Sequence, residues 1–463
     1  MLDQIIRGPL LIPTDSGSVI YHRDGVLASD AAGIIQFAGA FDELRSLYPE
    51  VEKVENLSRD TGLRPVLDSS AINEQVNSNI SSTGRRPVSQ FRFGDGVMLP
   101  PFLDIHTHIP QHPIRGRFVE GVPDATPQGK LLAGLNRNVF PAESRCANAE
   151  CAEKVVRQFL ADTLAHGIVG GAAYMTPSAL ATEIALSLLP QTWSVGLVLM
   201  NQNCPADLRT SETTLEEDVD RLARKFGRRL IVTDRFAVAV SSSLRKRGAS
   251  LARKFGLRTQ THLNEQIAEK QFVEAELYPN YRSYTDVYQK DGLLDHACIA
   301  AHCIHMREEE WSILRDTGSV IAHCPTSNLL LESGVMSLDT VLDRKIPYAI
   351  ATDVGASPTV SMLAEMARYL KVHEARSGRA TAIEALYRST RAPAELLGLG
   401  AQLGRLEAGR PLSFIEIECH DLADDSESAI RSLLPADLDE PEMTINRVAD
   451  AGQIIYERSA VHA

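Results

Sequence analysis

Short apolar runs recur along the chain, separated by stretches with helical spacing of apolar residues. From residue 98 onward eight β-like runs cover 98–105, 168–176, 193–201, 236–241, 257–263, 297–302, 319–325 and 348–354. Between or after them, 151–165, 214–226, 244–255, 307–316 and 360–374 carry apolar positions three and four residues apart. Strand-like and helix-like segments in alternation predict parallel α/β units, and eight of them predict a (β/α)8 TIM-like barrel. Outside this region the pattern differs. Val19–His22 and Gly33–Gly39 read as short strands, and 55–95, rich in Ser, Asn, Arg and Gly, reads as an irregular insertion. After Leu397-Gly398 the chain is β-like again, in Pro411–Glu418 and Ile454–Glu457. The expected organisation is therefore a barrel over 98–401 and a small β-sandwich lobe built from both termini, 1–97 and 402–463.

Size and charge narrow the function classes. The chain has 463 residues, 44% of them hydrophobic, and a formal net charge of −13. An acidic balance argues against nucleic acid or an anionic membrane as partner. No apolar run reaches 18 residues, so no membrane-spanning helix is expected. The N-terminus lacks a basic-then-apolar layout, and the seven cysteines form no framework of paired spacings. A cytoplasmic protein with free thiols is the expectation.

The candidate chemistry sits at the ends of the predicted strands. His106 and His108 close the first run, and alternate side chains of a strand share a face, so the two imidazoles converge. His262, His302 and Asp353 end later runs. In a barrel enzyme that end of the strands carries the active residues. Three neutral imidazoles and one carboxylate suit a single divalent ion, Zn2+ first and Fe2+ second. Such an ion supplies hydroxide at neutral pH by acidifying water. The expected ligands are His106, His108, His262 and Asp353. His302 is either a fifth ligand or a hydrogen-bond donor, and the donor role is favoured because the fourth run offers no bridging lysine or glutamate. Glu265, three residues past His262, is the candidate general acid–base group if the chain turns back after the strand. A helix-start glutamate facing solvent is the alternative. His305, His112 and His166 read as peripheral, and His323 reads equally as a supporting or a merely buried side chain.

Five segments carry a resemblance: Leu99–His108, Thr261–Glu265, Ala301–His305, Ile321–Leu329 and Ala351–Gly355. Together they resemble the amidohydrolase superfamily, in its deaminase and chlorohydrolase branch, strongly over about 98–400. Within that branch His106–Gln111, Val232–Phe236 and Asn138–Glu143 look most like the guanine deaminase family. The resemblance implies a hydrolytic deaminase that converts guanine to xanthine and ammonia. It implies substrate contacts from Gln111, Arg235 and Phe236. Chemically, the Gln111 amide both donates and accepts, the Arg235 guanidinium donates, and Phe236 offers a stacking face. For Arg235 a strand-end salt bridge is the alternative. The chain departs from the family in the stretch 115–129 and at Gly134, where a bulky residue is usual.

The implied mechanism gives Glu265, His302 and Asp353 catalytic roles. Glu265 protonates a ring nitrogen, Asp353 accepts the water proton, and His302 steadies the developing oxyanion. The same machinery acting on a pterin, an oxidised purine or a triazine is the nearest rival. A catalytically silent barrel that only binds is the rival from another class. The expected partner is a small amino-heterocycle, with no nucleic acid and no membrane, and a homodimer is left open.

Overall fold

The computed structural model describes residues 2–49, 51, 90–123, 129–438 and 441–459. Eight strands form the barrel: β6 (Phe102–His108), β7 (Ile168–Tyr174), β8 (Trp193–Leu199), β9 (Leu230–Asp234), β10 (Arg258–Leu263), β11 (Cys298–His302), β12 (Val320–His323) and β13 (Tyr348–Ile350). They pair in sequence order and all parallel. Their residues are almost all buried, as expected for a parallel sheet covered on both sides. The ring is drawn together just past β13. Asp353 N–H donates to the His106 carbonyl at 2.9 Å and His108 N–H to the Val354 carbonyl at 2.6 Å. These two bonds set Asp353 against both histidines of β6.

The helices between strands begin and end where local chemistry dictates. Asn148, Ser178, Ser241 and Ser361 cap Ala149–Ala165, Ala179–Leu188, Ser242–Phe255 and Met362–His373, each accepting from an otherwise unpaired first-turn N–H. Gly256 and Gly318, both left-handed, end Ser242–Phe255 and Glu308–Thr317.

The terminal segments make one mixed sheet of eight strands. It contains β1 (Gln4–Pro13), β2 (Val19–Ser29), β3 (Ile35–Ala40), β4 (Gln90–Phe93), β5 (Val97–Leu99), β14 (Phe414–Ile417), β15 (Ile445–Asp450) and β16 (Gln453–Glu457). Strand β5 joins the two ends of the chain, pairing with β1 on one side and β14 on the other. Separate apolar clusters pack around it, one with Leu10, Leu27, Met98 and Phe414, another with Ile5, Val26, Phe41 and Phe91.

Three details differ from the expected strands. The first run divides at Pro100-Pro101, giving β5 to the lobe and β6 to the barrel, because proline cannot donate to a ladder. The fourth barrel strand is Leu230–Asp234, not 236–241. The segment after it is apolar because it is buried, yet side chains satisfy its backbone: Tyr284 and Tyr288 hydroxyls accept from Ala237 N–H, and Asn203 donates to the Val238 carbonyl. Gln90–Phe93 within the expected irregular insertion is strand β4, while 52–89 lies outside the described residues. Among the described residues no helix is long and apolar enough to cross a membrane.

Candidate active site

His106, His108, His262, His302 and Asp353 meet at one mouth of the barrel. One ligand-type atom each from His106, His108, His262 and Asp353 lies within 4.8 Å of the others. Asp353 Oδ1 stands 3.3 Å from His106 Nε2 and 3.2 Å from His108 Nε2, and His262 Nε2 is 3.3 Å from His108 Nε2. The His262 Nδ1–H donates to the Arg235 carbonyl at 2.7 Å, which leaves the Nε2 lone pair facing the cluster. Ser327 donates to the outer oxygen of Asp353 at 2.5 Å.

The group fits a divalent cation. Burial holds His106, His108 and His262 below the usual imidazole range, His108 down to about 3, so the rings are neutral donors. Burial would raise the Asp353 carboxyl, but hydrogen bonds from His106 and His108 and the neighbouring imidazoles hold it well below the usual carboxylate range. Nδ1 of the fully buried His106 lacks a hydrogen-bond partner, and its Nε2 has only the Asp353 oxygen, at 3.3 Å. Such orphaned groups are costly in an interior unless something coordinates them. Three imidazoles and one carboxylate could hold the ion, and among the described residues no further carboxylate joins this group.

The turn past β10 brings Glu265 back to the cluster. Asn264 sits at φ +51°, left-handed backbone that costs a non-glycine residue energy. A buried network holds it there. Its amide donates to Glu310 at 3.0 Å and accepts from Lys270 at 3.0 Å, while its carbonyl accepts from Ile304 and His305. Glu265 is thereby buried, with Ser333 Oγ donating to it at 3.1 Å. Burial, then the Asp353 charge, pushes its carboxyl up to about 8. The solvent-facing alternative for Glu265 does not hold.

His302 lies beside both carboxylates, its Nε2 3.6 Å from Glu265 and 4.0 Å from Asp353. Its Nδ1 bonds Asn328 Oδ1 at 2.8 Å. With the amide in that orientation Nε2 donates only from the imidazolium, whereas turning the amide over places the proton on Nε2 of a neutral ring. His302 and Asp353 are also left-handed, at φ +71° and +52°. Three strained residues at three strand ends mark this mouth of the barrel as the place where geometry is imposed.

A narrow pocket above the cluster is lined by Gln111, Arg235 and Phe236 together with His108, His262, Glu265 and Asp353. Phe118, Leu131, Leu135 and Leu331 form its apolar cover. A second cleft, of about 470 Å³, shares Leu135 and Phe236 with the pocket as lining residues. Arg235 makes the salt bridge foreseen as its alternative, to Glu143 at 2.6 Å, and still lines the pocket. Gln111 is held where Gly355 passes, since a Cβ at 355 would come within 2.6 Å of the Gln111 carbonyl. His112 and His166 lie apart on Asp162, and His305 bonds the Ser333 carbonyl. His323 is buried away from the pocket against His373, at 2.8 Å.

Sequence reasoning did not single out Glu143, Ser327, Asn328 or the apolar cover. Glu143 was within a segment noted for its resemblance, and Ser327 and Asn328 lay in another. Nothing in their spacing marks them, because each acts through contacts with residues far away in the chain.

Known proteins are similar along most of this chain. The model of the Amidohydrolase family matches residues 97–452. The guanine deaminase of Escherichia coli is 31% identical over 377 residues, covering 78% of this chain and 84% of its own. That of Mus musculus is 31% identical over 329 residues, covering 67% and 70%. The crystal structure of guanine deaminase from C. acetobutylicum with bound guanine superimposes with a TM-score of 0.77 at 23% identity, over 98% of this chain and 100% of that one. By its barrel, its strand-end histidines and aspartate and this match along most of its length, the chain belongs to the amidohydrolase family.

Proposed function

We propose that this protein is a metal-dependent aminohydrolase that converts guanine to xanthine and ammonia. The observation that carries the reading is a single pocket in which Gln111, Arg235 and Phe236 face Glu265, Asp353 and the histidine cluster. The guanine deaminases to which the chain is similar support the choice of substrate. His106, His108, His262 and Asp353 would hold one divalent ion, with Zn2+ expected before Fe2+. When bound, that ion acidifies water and so supplies hydroxide at neutral pH.

The chain's own residues do the rest. Phe236 offers its face to the planar ring, and Arg235 donates to the C6 carbonyl. The apolar cover of Phe118, Leu131, Leu135 and Leu331 excludes bulk water, which strengthens each polar contact inside. Asp353 accepts the proton of the attacking water, with Ser327 steadying its outer oxygen. Glu265, protonated near neutral pH, delivers its proton to the ring nitrogen beside the amino-bearing carbon. His302, next to both carboxylates, steadies the oxygen as it bonds to carbon. The proton held by Asp353 then passes to the amino group, ammonia leaves, and the remaining hydroxyl proton goes to Glu265, which leaves the new carbonyl of xanthine.

The working unit in this proposal is the barrel, 98–401, with 1–97 and 402–463 as a composite lobe. Its compartment is proposed to be the cytoplasm, where seven free cysteines stay reduced. A homodimer is compatible with the proposal and not required by it. The test is ammonia release by purified, metal-analysed protein from guanine, adenine, a pterin and an amino-triazine. Guanine is expected to be the substrate turned over. Release from the pterin or triazine with none from guanine would overturn the substrate and leave only the class of reaction.

A further inference from the structure

Behind the two polar residues of the pocket stands a third that touches both. Glu143 lies in the short helix Phe140–Arg145 and is 1% exposed. One of its oxygens, Oε1, accepts from Arg235 Nη1 at 2.6 Å and from Gln111 Nε2 at 3.0 Å. Arg235 and Gln111 line the pocket, whereas Glu143 does not. It reaches a bound ring only through them.

We propose that Glu143 is a positioning residue that sets which ring the pocket accepts, by fixing the Gln111 amide and the Arg235 guanidinium in one arrangement. The proposal rests on the guanine reading above. An ionised carboxylate only accepts, so it takes the nitrogen end of Gln111 and the amide cannot turn over. The Gln111 oxygen is then directed away from Glu143 as an acceptor. Arg235 is held by the same oxygen and keeps its remaining N–H donors for a ligand. Its charge is compensated at short range, which matters because Nη1 is also 3.4 Å from His108 Nδ1. The resulting pattern is a fixed donor beside a fixed acceptor in a buried wall. A ring that satisfies both presents a carbonyl to Arg235 and an N–H to Gln111. Oxo-purines carry both groups. Adenine offers an amino donor to Arg235 instead, and a triazine without ring N–H or carbonyl satisfies neither. With a glutamine at 143 the bridging side chain would both donate and accept, and Gln111 would be free to turn over.

The test compares two rings that lack the 2-amino group and cannot be deaminated: hypoxanthine, with the 6-oxo group and its N–H, and purine, with neither. Calorimetric titration of metal-loaded protein gives both Kd values without turnover. The wild type is expected to prefer hypoxanthine, and Glu143→Gln to reduce that preference by about tenfold or more. Metal content should be unchanged, and the KM for guanine should rise more than kcat falls. Glu143→Asp keeps the charge but is one methylene short, so it should lie between the two, and it carries the same ratio test if Glu143→Gln does not fold. An unchanged Kd ratio in a metal-loaded variant overturns the positioning role. So does a loss of affinity that falls equally on both rings and follows loss of metal. A wild type that neither deaminates guanine nor prefers hypoxanthine sinks the guanine reading itself, before any variant is compared.

Discussion

Glu265 shows how much a single side chain depends on what surrounds it. Its carboxyl is buried and pushed up to about 8, so near neutral pH it carries a proton to give. Glu265→Gln keeps size and polarity but removes that proton donor. Activity should fall by about 10²–10⁴, the range typical of a general acid–base group, with metal content and denaturation midpoint retained. Turnover within a few-fold of wild type would contradict the role. At the cluster, His108→Ala removes one of four ligand-type side chains, and metal analysis should show most of the ion lost from a wild-type value near one equivalent. Two firmly held equivalents would contradict a mononuclear site. Glu365 offers a pH test away from the cluster. It is fully buried, accepts from Thr326 N–H and Ser357 Oγ, and burial pushes it up to about 8. In the unfolded chain a glutamate titrates near 4.3. Between those values the folded state holds a proton that the unfolded state releases, so this residue's contribution to stability falls as pH rises through the window and the loss is complete above about 8. Glu365→Gln has no such proton to lose. Its stability relative to wild type should climb between pH 5 and 8, on the order of a few kcal/mol, in chemical denaturation at a series of pH values.

Among the elements, the cover over the pocket depends on one close contact at a glycine. The helical stretch from Gly129 to Val139 packs against the segment that precedes it. Asn138 donates to the carbonyls of Phe118 and Glu120. Gly134 sits where a Cβ would come within 2.7 Å of the Phe118 ring and 2.8 Å of its carbonyl. The space beside Gly134 is filled by Phe118. Gly134→Ala must therefore displace Phe118, which lines the pocket. The gain of about 1 kcal/mol in helix propensity is opposed by about 1–3 kcal/mol of overpacking. Steady-state kinetics should show KM for guanine rising several-fold with a smaller change in kcat. Unchanged kinetics would mean that Phe118 does not shape the pocket.

Over the whole molecule, the lobe and barrel are locked by a few long-range contacts. Arg391, fully buried in the short helix Arg391–Leu396, donates to the Pro13 carbonyl at 2.8 Å and pairs with Asp15 and Glu407. Asp15 and Glu407 are exposed enough to be solvated if the arginine is lost, so Arg391→Ala should cost about 1.5–3 kcal/mol, less than breaking a wholly buried pair. The denaturation midpoint should drop while kcat stays near wild type, because the contact lies outside the catalytic pocket. A collapse of kcat at unchanged stability would show that the lobe acts on the site directly.

The sequence by itself determined what local periodicity and local chemistry can encode. Alternation along β6 puts His106 and His108 on one face, and serine, asparagine and glycine at helix ends stop the helices close to where their spacing says. Apolar runs marked seven of the eight barrel strands, and His262, His302 and Asp353 fell at their ends. Only the tertiary structure decided the rest. A buried apolar run such as Phe236–Val240 looks the same whether a ladder or distant side chains satisfy its backbone, so the fourth strand was legible only once Tyr284, Tyr288 and Asn203 were in place. The closing bonds from Asp353 and His108, and the bridge that Glu143 makes between Gln111 and Arg235, join residues 32 to hundreds of positions apart. No local pattern records such pairs, because their energy exists only after the chain has folded.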